Sequence, residues 1–441
     1  MTKLKLSDRQ LYALIEAVKL GEVVKPSQQA KRKAFSKYKI EGWENSKLTG
    51  IFYSIQRRLG LIDEIITELV GVSPLILDPW LRAALRVAVE VAVFRDPNEK
   101  TLQHLKGLAK FLSSRTHPYV GYYYYELLPR IINYVPRLDS EEKRLKWGYL
   151  FPEWFIAKMR ALIGSEAEEL LKALNETLPV SLRVNRLKTS VEEVEAYLRS
   201  KNLRFERSKK VETVIRVLDP FNPGKLMEKG FALPQEEASA VASLVLDPKP
   251  GETVVDLAAA PGGKTAHMAE LMKNEGKIYA FDVDSARIKR MKDVLRWAGV
   301  EIAEVKKLDG RKAPEVLSEE IADRVLLDAP CTSDGTIAKN PELRWRLQEK
   351  NIMKVVALQK ELIESAWKLL KPGGRLLYST CSMLPEENEE VVKWFLERHD
   401  DARLVPLNGP YDPGFLEGTM RAWPHRHGTI GFFYALIGKI D

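Results

Sequence analysis

Both cysteines of this 441-residue chain follow apolar segments that have the composition of buried strands. Cys331 lies in LLDAPCTSDGT, and Cys381 lies in LLYSTCSMLPEEN. An isolated cysteine is most often a small buried hydrophobic residue. Here, however, each cysteine comes directly after a strand-like segment and beside small or hydroxylated residues. We therefore interpret both as reactive thiols at one rim of a sheet.

A thiolate can act as a nucleophile toward C6 of a pyrimidine ring. The addition makes C5 of the ring nucleophilic, so that C5 can take a methyl group from a sulfonium donor. The reaction needs an acid near N3 of the ring, and Asp328, just before Cys331, is placed for that role if it carries a proton. It also needs a base for the C5 proton, either the second thiol or a water molecule. Chemistry alone does not choose the nucleophile between Cys331 and Cys381.

The segment VVDLAAAPGGKTAHMAE combines a strand that ends at Asp256 with a small-residue turn and a helix, whose N-terminal N–H groups face a ligand. Ala258 occupies the first glycine position of a phosphate-binding loop, and the Gly-x-Gly-x-x-Gly dinucleotide pattern is absent, so neither motif matches. Asp282 and Asp309 follow at further predicted strand ends, where acids are either helix caps or partners for ribose hydroxyls and an adenine amino group. Together these features favour S-adenosylmethionine over a dinucleotide.

After about residue 233, apolar strands alternate with helical segments. The alternation predicts an α/β fold with a parallel, doubly wound, Rossmann-like sheet, which binds ligands beyond the carboxyl ends of its strands. Every residue with predicted chemistry falls at such an end. The predicted strands are 253–257, 277–281, 323–327 and 374–378, with a final strand pair near 402–406 and 431–440.

Residues 1–140 differ from the rest of the chain in pattern and in charge. Their apolar residues recur at helical spacing, which predicts an all-α domain. They contain 22 Lys and Arg against 14 Asp and Glu, whereas residues 141–441 contain 47 of each sign, so the net charge of +8 lies in the first part. This segregation favours contact with nucleic acid over a merely solvated helical surface. The segment HPYVGYYYYELL, residues 117–128, is either a base-stacking or a packing segment, and we favour packing because four consecutive tyrosines on a helix cannot face one way.

Between these parts, residues 141–232 predict a linker helix and a small α/β subdomain that resembles an RNA recognition motif. Strand-like SLRVNRL and VETVIRVL flank the helix-like SVEEVEAYLRSKN. We therefore predict three domains, 1–140, 141–232 and 233–441.

The cysteine count restricts the setting of the protein. Two cysteines far apart in sequence exclude a cysteine-rich metal site and a disulfide framework. The opening MTKLKLSDRQ lacks an apolar signal segment, and no run approaches the ~18 apolar residues of a membrane span. We expect a cytoplasmic protein with reduced thiols, no metal and no membrane partner.

In order and spacing, several segments resemble the RNA 5-methylcytosine methyltransferases of the Sun/Fmu type. They are DLAAAPGGKT, AFDVD, LDGR, LLDAPCTSDGT, NPELRW, YSTCSMLPEENEEVV and GFFYALI. The resemblance covers residues 145–441, and its paired Pro-Cys and Thr-Cys motifs are specific to that group. Residues 1–140 resemble the NusB-like RNA-binding domain that some of these enzymes carry. The chain departs from the family at Ala258, often Cys in relatives, and at Ile430, where Asp is usual.

The resemblance implies an S-adenosylmethionine-dependent RNA (cytosine-5-)-methyltransferase that acts on rRNA or, alternatively, on tRNA. It makes Cys381 the nucleophile, Cys331 the residue that assists product release, and Asp328 a residue that faces both base and cofactor. DNA cytosine-5 methyltransferases use the Pro-Cys thiol instead, so the Thr-Cys motif favours RNA. The cofactor-binding residues that the resemblance implies are Ala258, Ala259, Ala260, Pro261, Gly262, Gly263, Lys264, Asp282, Asp309 and Asp328.

The target cytosine must leave its base stack to reach a thiol, and we expect a pocket lined partly by residues 340–345. Trp345 is either a stacking or a core residue, and Arg344 and Arg346 are candidate phosphate contacts. Two other interpretations remain, a DNA methyltransferase and an RNA-binding factor of ribosome assembly without catalysis. We expect a monomer, because the accessory domains already supply RNA contacts.

Overall fold

A computed structural model describes residues 3–24 and 27–440 and divides the chain into two compact units. The helical unit comprises Met1–Asn175 and Asn340–Arg346, and the α/β unit comprises Glu176–Lys339 and Leu347–Asp441. Residues 141–175 thus group with the preceding helices, whereas the predicted boundary lies at residue 140. Across the described ranges, no helix combines the length and apolar content needed to cross a membrane.

Several helices of the helical unit begin at side chains that cap them. Ser7 accepts a hydrogen bond from the Gln10 N–H and forms a capping box, and Asp78 accepts from the N–H groups of Trp80 and Leu81. The helices are α1 (Asp8–Leu20), α2 (Ser27–Lys37), α3 (Gly42–Val70), α4 (Pro79–Val93), α5 (Glu99–Arg115), α6 (Pro118–Ile132), α7 (Glu141–Tyr149), α8 (Glu153–Ile163) and α9 (Ala167–Ala173).

The all-α architecture predicted for residues 1–140 is confirmed. Apolar residues at helical spacing, such as Leu11 and Leu14 of α1 and Ile62 of α3, lie fully buried in one core. Their removal from water is the main stabilising contribution to such a bundle. The helices continue past residue 140, where Ser140 caps α7 by accepting a hydrogen bond from the Lys143 N–H.

The α/β unit begins with a small antiparallel sheet at the place of the predicted middle subdomain. Its strands pair in the order β2-β3-β1-β4, and two helices accompany them. Val194 and Leu198 of the first helix share a buried cluster with Leu182 and Ile215 of the sheet. The elements are β1 (Val180–Val184), α10 (Val191–Ser200), β2 (Phe205–Arg207), β3 (Val214–Val217), α11 (Gly224–Glu228) and β4 (Ala232–Pro234).

The remaining strands form a larger sheet with a parallel centre. They are β5 (Thr253–Asp256), β6 (Lys277–Asp282), β7 (Ala303–Lys307), β8 (Ala322–Asp328), β9 (Leu370–Thr380), β10 (Ala402–Leu404), β11 (Asp412–Pro413), β12 (Met420–Ala422) and β13 (Phe432–Lys439). The order is β11-β12-β13-β9-β8-β5-β6-β7, with β10 on β13. Strands β5 to β9 pair in parallel, and the last four pair antiparallel. The predicted doubly wound sheet and its final strand pair are confirmed, whereas β11 and β12 are not among the predicted strands.

The order of the strands places a ligand crevice at the centre of this sheet. From β5 the chain runs outward through β6 to β7 and then returns to β8 on the other side of β5. The carboxyl ends of β5 and β8 therefore border the position where a doubly wound sheet binds its ligand. The helices of this part of the chain are α12 (Glu237–Leu246), α13 (Gly263–Leu271), α14 (Ser285–Ala298), α15 (Ala313–Val316), α16 (Leu343–Arg346), α17 (Ile352–Leu369), α18 (Glu389–Leu396) and α19 (Pro424–His427).

Residues 340–346, which include α16, leave the α/β unit and pack within the helical unit. Arg344 is only 1% exposed, and its guanidinium donates to the carbonyls of Leu150 and Leu174 and to the side-chain oxygen of Asn175. A buried guanidinium whose donors bind backbone oxygens does not meet a phosphate. The prediction of Arg344 as a phosphate contact is therefore wrong.

Trp345 also packs within the helical unit. Its indole N–H donates to the Arg57 carbonyl at 2.8 Å, and Arg346 donates to the Gly21 carbonyl at 2.6 Å. The glycine at position 60 lets the Trp345 ring lie directly against α3, since a Cβ there would overlap the ring. Of the two predicted roles for Trp345, the structure supports packing.

Substituting Gly60→Ala should lower the free energy of unfolding by about 1–3 kcal/mol, because the added methyl group overpacks the contact with Trp345. The matched control is Gly50→Ala in the same helix, where nothing lies within 4 Å of the new Cβ. There the better helix propensity of alanine should raise stability by up to about 1 kcal/mol. Chemical denaturation measures both variants, and equal stabilities would contradict the contact.

Candidate functional site

The two thiols lie side by side at the carboxyl end of the sheet. Strands β8 and β9 are parallel neighbours, with Asp328 opposite Ser379, so the residues that follow both strands emerge together. The Sγ atoms of Cys331 and Cys381 are 3.4 Å apart, and both cysteines are unpaired and half-buried. A single planar base can therefore meet both thiols.

A carboxylate and an ammonium lie at the end of the same strand. Asp328 closes β8, and Lys264 in the first turn of α13 places its Nζ 2.7 Å from Asp328 Oδ2. The Ser379 hydroxyl donates to the other carboxylate oxygen at 3.1 Å, and the Lys264 ammonium lies 5.3 Å from the centre of the Phe432 ring. The Asp328–Lys264 pair therefore offers a hydrogen-bond donor, the ammonium, and an acceptor, the carboxylate, to the polar edge of a ring.

Contact between the two thiols affects their ionisation. The hydrogen bond with Cys381, followed by burial and nearby negative charge, raises the pKa of Cys331 well above its ordinary value. Two thiolates at 3.4 Å would repel each other strongly, so only one of the pair ionises at a time. The pair therefore offers at most one thiolate to a base.

Two buried carboxyl groups, Asp334 and Glu387, hold the cysteine loops together, and we call them the carboxylate clasp. Neither side chain is exposed. Glu387 accepts hydrogen bonds from the N–H and hydroxyl of Thr332, the residue after Cys331, and from the Ser382 hydroxyl at 2.9 Å, the residue after Cys381. One carboxylate thus fixes both loops.

Asp334, two residues after Thr332 in the first loop, forms a second bridge between the loops. Its carboxyl lies 2.9 Å from the Thr332 hydroxyl and accepts a hydrogen bond from the Met383 N–H of the second loop at 3.1 Å. Gln359 of α17 completes the arrangement by donating to Glu387 at 3.0 Å and to the Pro330 carbonyl at 2.9 Å. Burial raises the pKa of both clasp carboxyls, and the nearby Asp334 further raises the pKa of Glu387.

The predicted cofactor loop, residues 258–264, is anchored on β6 and α14. The Ala260 N–H donates to the Asp282 carboxylate at 3.2 Å, and its carbonyl accepts from Arg287. Gly262 adopts φ +96 before α13, a left-handed conformation that favours glycine, and a Cβ there would lie 2.8 Å from Met291. Asp282 therefore both supports the loop and lies at the strand end where a ribose would be recognised.

Asp256, at the end of β5, carries an unsatisfied buried atom. Its Oδ2 accepts from the Thr265 hydroxyl at 2.7 Å, whereas its Oδ1 is buried and has no hydrogen-bond partner. Burial raises the pKa of Asp256 to about 7. A cationic ligand would satisfy this carboxylate, and S-adenosylmethionine carries both a sulfonium and an ammonium group. The residues present therefore fit that cofactor.

The turn that carries Asp309 lies next to the start of this loop. A Cβ at the following residue, Gly310, would lie 2.9 Å from the Leu257 carbonyl. Asp309 itself is bound by Arg311, whose hydrogen bond lowers the pKa of the carboxyl. The structure thus brings Asp309 to the cofactor side of the sheet with its carboxylate already ion-paired.

The sequence analysis did not identify the carboxylate clasp as part of the site. It also gave Asp256 no role beyond the end of a strand. Asp334 and Glu387 are visible in the motifs as acids among small and apolar residues. Acids in loops are usually solvated, however, and only the long-range pairing of β8 with β9 reveals what these two contact.

Substituting Glu387→Ala should separate the cysteine loops, because it removes the acceptor shared by Thr332 and Ser382. A mild thiol oxidant should join Cys331 to Cys381 rapidly in the parent chain and about tenfold or more slowly in the variant. The exposed neighbour Glu390→Ala is the control and should behave like the parent chain. Equal rates of disulfide formation in Glu387→Ala and the parent chain would refute the clasp.

Comparisons with known proteins place these features in one family. Residues 243–438 match the family model for the 16S rRNA methyltransferase RsmB/F, and residues 151–222 match its RsmF/B-like, ferredoxin-like domain. The ribosomal RNA small subunit methyltransferase B of Serratia proteamaculans is 37% identical over 296 residues, which are 66% of this chain and 67% of that protein. The enzyme of the same name from Yersinia pestis is 35% identical over 316 residues, 71% of this chain and 70% of that protein.

Solved structures agree with this assignment. The crystal structure of PH0851 is 56% identical, with a TM-score of 0.95, over 99% of this chain and all of that one (100%). NSun6 from Pyrococcus horikoshii with SFG is 27% identical, with a TM-score of 0.62, over 66% of this chain and 99% of that one. The chain therefore belongs to the RsmB/F family of S-adenosylmethionine-dependent methyltransferases.

Proposed function

We propose that the protein transfers a methyl group to C5 of a cytosine in RNA. The observation that carries this proposal is the pair of thiols 3.4 Å apart beside the Asp328–Lys264 pair. Methylation of oxygen or nitrogen needs no thiol, whereas C5 of cytosine becomes nucleophilic only after a covalent addition at C6. A second thiol suits the separate problem of releasing the product.

In the proposed reaction, Cys381 Sγ forms a bond to C6 of the ring. The electrons of the C5–C6 double bond move toward N3. The Asp328–Lys264 pair donates a proton to N3. S-adenosylmethionine, when bound, supplies the methyl group as a sulfonium electrophile. A base then removes the proton from C5, the C5–C6 double bond re-forms, the Cys381 thiolate leaves, and N3 returns its proton.

The roles of the thiols follow from the Thr-Cys motif, which makes Cys381 the nucleophile. The contact between the thiols raises the pKa of Cys331 and allows a single thiolate in the pair. Once Cys381 is bonded to C6, it no longer makes the hydrogen bond that most raises the pKa of Cys331. Cys331 can then release its proton to solvent and, as a thiolate, take the C5 proton. The same contact thus orders the two steps.

Residues 258–264 with Asp282 and Asp309 are the proposed cofactor-binding residues. The anchored loop and the α13 N-terminus supply N–H groups, and Asp282 at its strand end suits the ribose hydroxyls. Asp309 suits the adenine amino group. Asp256 lies at the next strand and adds a negative charge near the loop.

Ribosomal RNA is the substrate that we propose, because relatives at 35–37% identity are named small subunit rRNA methyltransferases. The helical unit, which resembles a NusB domain, would bind RNA phosphates through the net positive charge of +8 in residues 1–140. We propose action in the cytoplasm as a monomer. Measuring methyl transfer to tRNA and to DNA as well as to rRNA would detect the alternative substrates.

Substituting Cys381→Ala should reduce methyl transfer to RNA by about 1000-fold or more, because no other group can add to C6. Cys331→Ala should instead accumulate a covalent protein–RNA adduct, since addition proceeds and release does not. Denaturing gel electrophoresis with labelled RNA detects the adduct. Normal turnover of Cys331→Ala together with trapped RNA in Cys381→Ala would reverse the assigned roles.

Binding of S-adenosylmethionine should strengthen as the pH rises from about 5 to 7. Since the pKa of Asp256 is raised to about 7, the free carboxyl is protonated below that pH, and binding a cation must expel this proton. The dissociation constant should fall by up to about tenfold per pH unit. Calorimetry should find a flat profile in Asp256→Asn. An unchanged profile in that variant would remove Asp256 from cofactor binding.

A further inference from the structure

Four tyrosine rings of α6 lie exposed on one helix. Tyr124 packs into the core, with its hydroxyl donating to the Leu105 carbonyl at 3.1 Å, so the interpretation of this segment as packing holds for that residue. It is wrong for the remaining rings, which no core cluster takes up. Their exposed fractions are 77% for Tyr119, 64% for Tyr122, 40% for Tyr123 and 51% for Tyr125.

These rings border a groove between α5 and α6. Gly121 permits the two helices to approach closely, because a Cβ there would overlap Ser113 and Ala109. Tyr122 and Tyr125 form one wall of the resulting groove of about 590 Å³. The opposite wall comes from α5 and carries Lys110 and the serines at 113 and 114. Flat aromatic faces therefore stand opposite a cation and hydroxyl groups.

The charges of α5 and α6 are predominantly positive. Glu99 and Glu126 are the only carboxylates in these two helices. Several exposed cations of the two helices form no ion pair within the described ranges. They are Lys106, Lys110, Arg115 and Arg130. An acidic partner would neutralise these charges.

We infer that the groove walled by Tyr122, Tyr125 and Lys110 binds single-stranded RNA by stacking bases on the tyrosines. Aromatic faces beside unpaired cations are the combination that single-stranded nucleic acid requires, because every base offers a flat face and every linkage a negative charge. A protein partner of ordinary composition would explain the rings and leave the surplus of cations unexplained. The inference rests on RNA being the substrate and names where the helical unit holds it.

The test uses the full chain and a fluorescein-labelled, unstructured RNA oligonucleotide, with binding measured by fluorescence anisotropy. The double variant Tyr122→Ala/Tyr125→Ala should bind about tenfold or more weakly, since each stacked ring contributes substantially. The double variant Tyr122→Phe/Tyr125→Phe keeps both rings and should bind like the parent chain. Lys110→Gln should lower the slope of log Kd against log salt by about 1.

The matched control is Trp43→Ala, another exposed ring of the helical unit, which lies in a different groove with Lys5 and Lys47. It should leave RNA affinity unchanged. Full affinity in the alanine double variant, equal losses in the alanine and phenylalanine variants, or an equal loss in Trp43→Ala would each overturn the assignment. Thermal unfolding of every variant shows that the helical unit stays folded.

Methyl transfer by the same variants separates this inference from the proposed activity. The alanine double variant should raise KM for RNA and leave kcat at saturating RNA unchanged, because the groove only holds the substrate. Absence of methylation by the parent chain would overturn the proposed activity and leave the anisotropy result standing. A lowered kcat with an unchanged KM would overturn the groove.

Discussion

The chemistry of this protein depends on one constraint, which is that two loops from neighbouring strands must bring their thiols within 3.4 Å. The parallel pairing of β8 and β9 brings the loops to one edge, and the carboxylate clasp of Asp334 and Glu387 fixes their separation. Burying two carboxyl groups is costly unless hydrogen bonds compensate, and here both receive several. The hydrogen bonds that hold the two loops together thus also offset the cost of burying the clasp carboxyls.

That geometry also explains how two identical groups take different parts in one reaction. Proximity forbids two thiolates, and the hydrogen bond between the thiols raises the pKa of Cys331. In the proposed reaction, bonding of Cys381 to C6 removes this hydrogen bond from Cys331. The buried carboxyl of Asp256 lies at the end of β5, and Asp282, which anchors the proposed cofactor loop, lies at the end of the neighbouring strand β6.

The sequence was sufficient to predict the structural features that depend on local periodicity or on motif position. Alternating strands and helices predicted the Rossmann-like sheet, and the position of each cysteine after a strand predicted their shared edge. Long-range packing was not accessible in this way. Arg344 and Trp345 stand in a family motif and look available to RNA, but α16 packs within the helical unit. The exposure of the α6 tyrosines likewise could not be predicted without knowing which face of that helix is buried.

The most direct test of the account uses the parent chain with RNA that contains 5-fluorocytidine. Fluorine at C5 cannot be removed as a proton is, so both the bond to the protein and the transferred methyl group should persist. Mass spectrometry of the digested adduct then identifies the attached residue. We predict a methylated base on the peptide that carries Cys381. A base attached to Cys331, or methylated RNA without any adduct, would contradict the account.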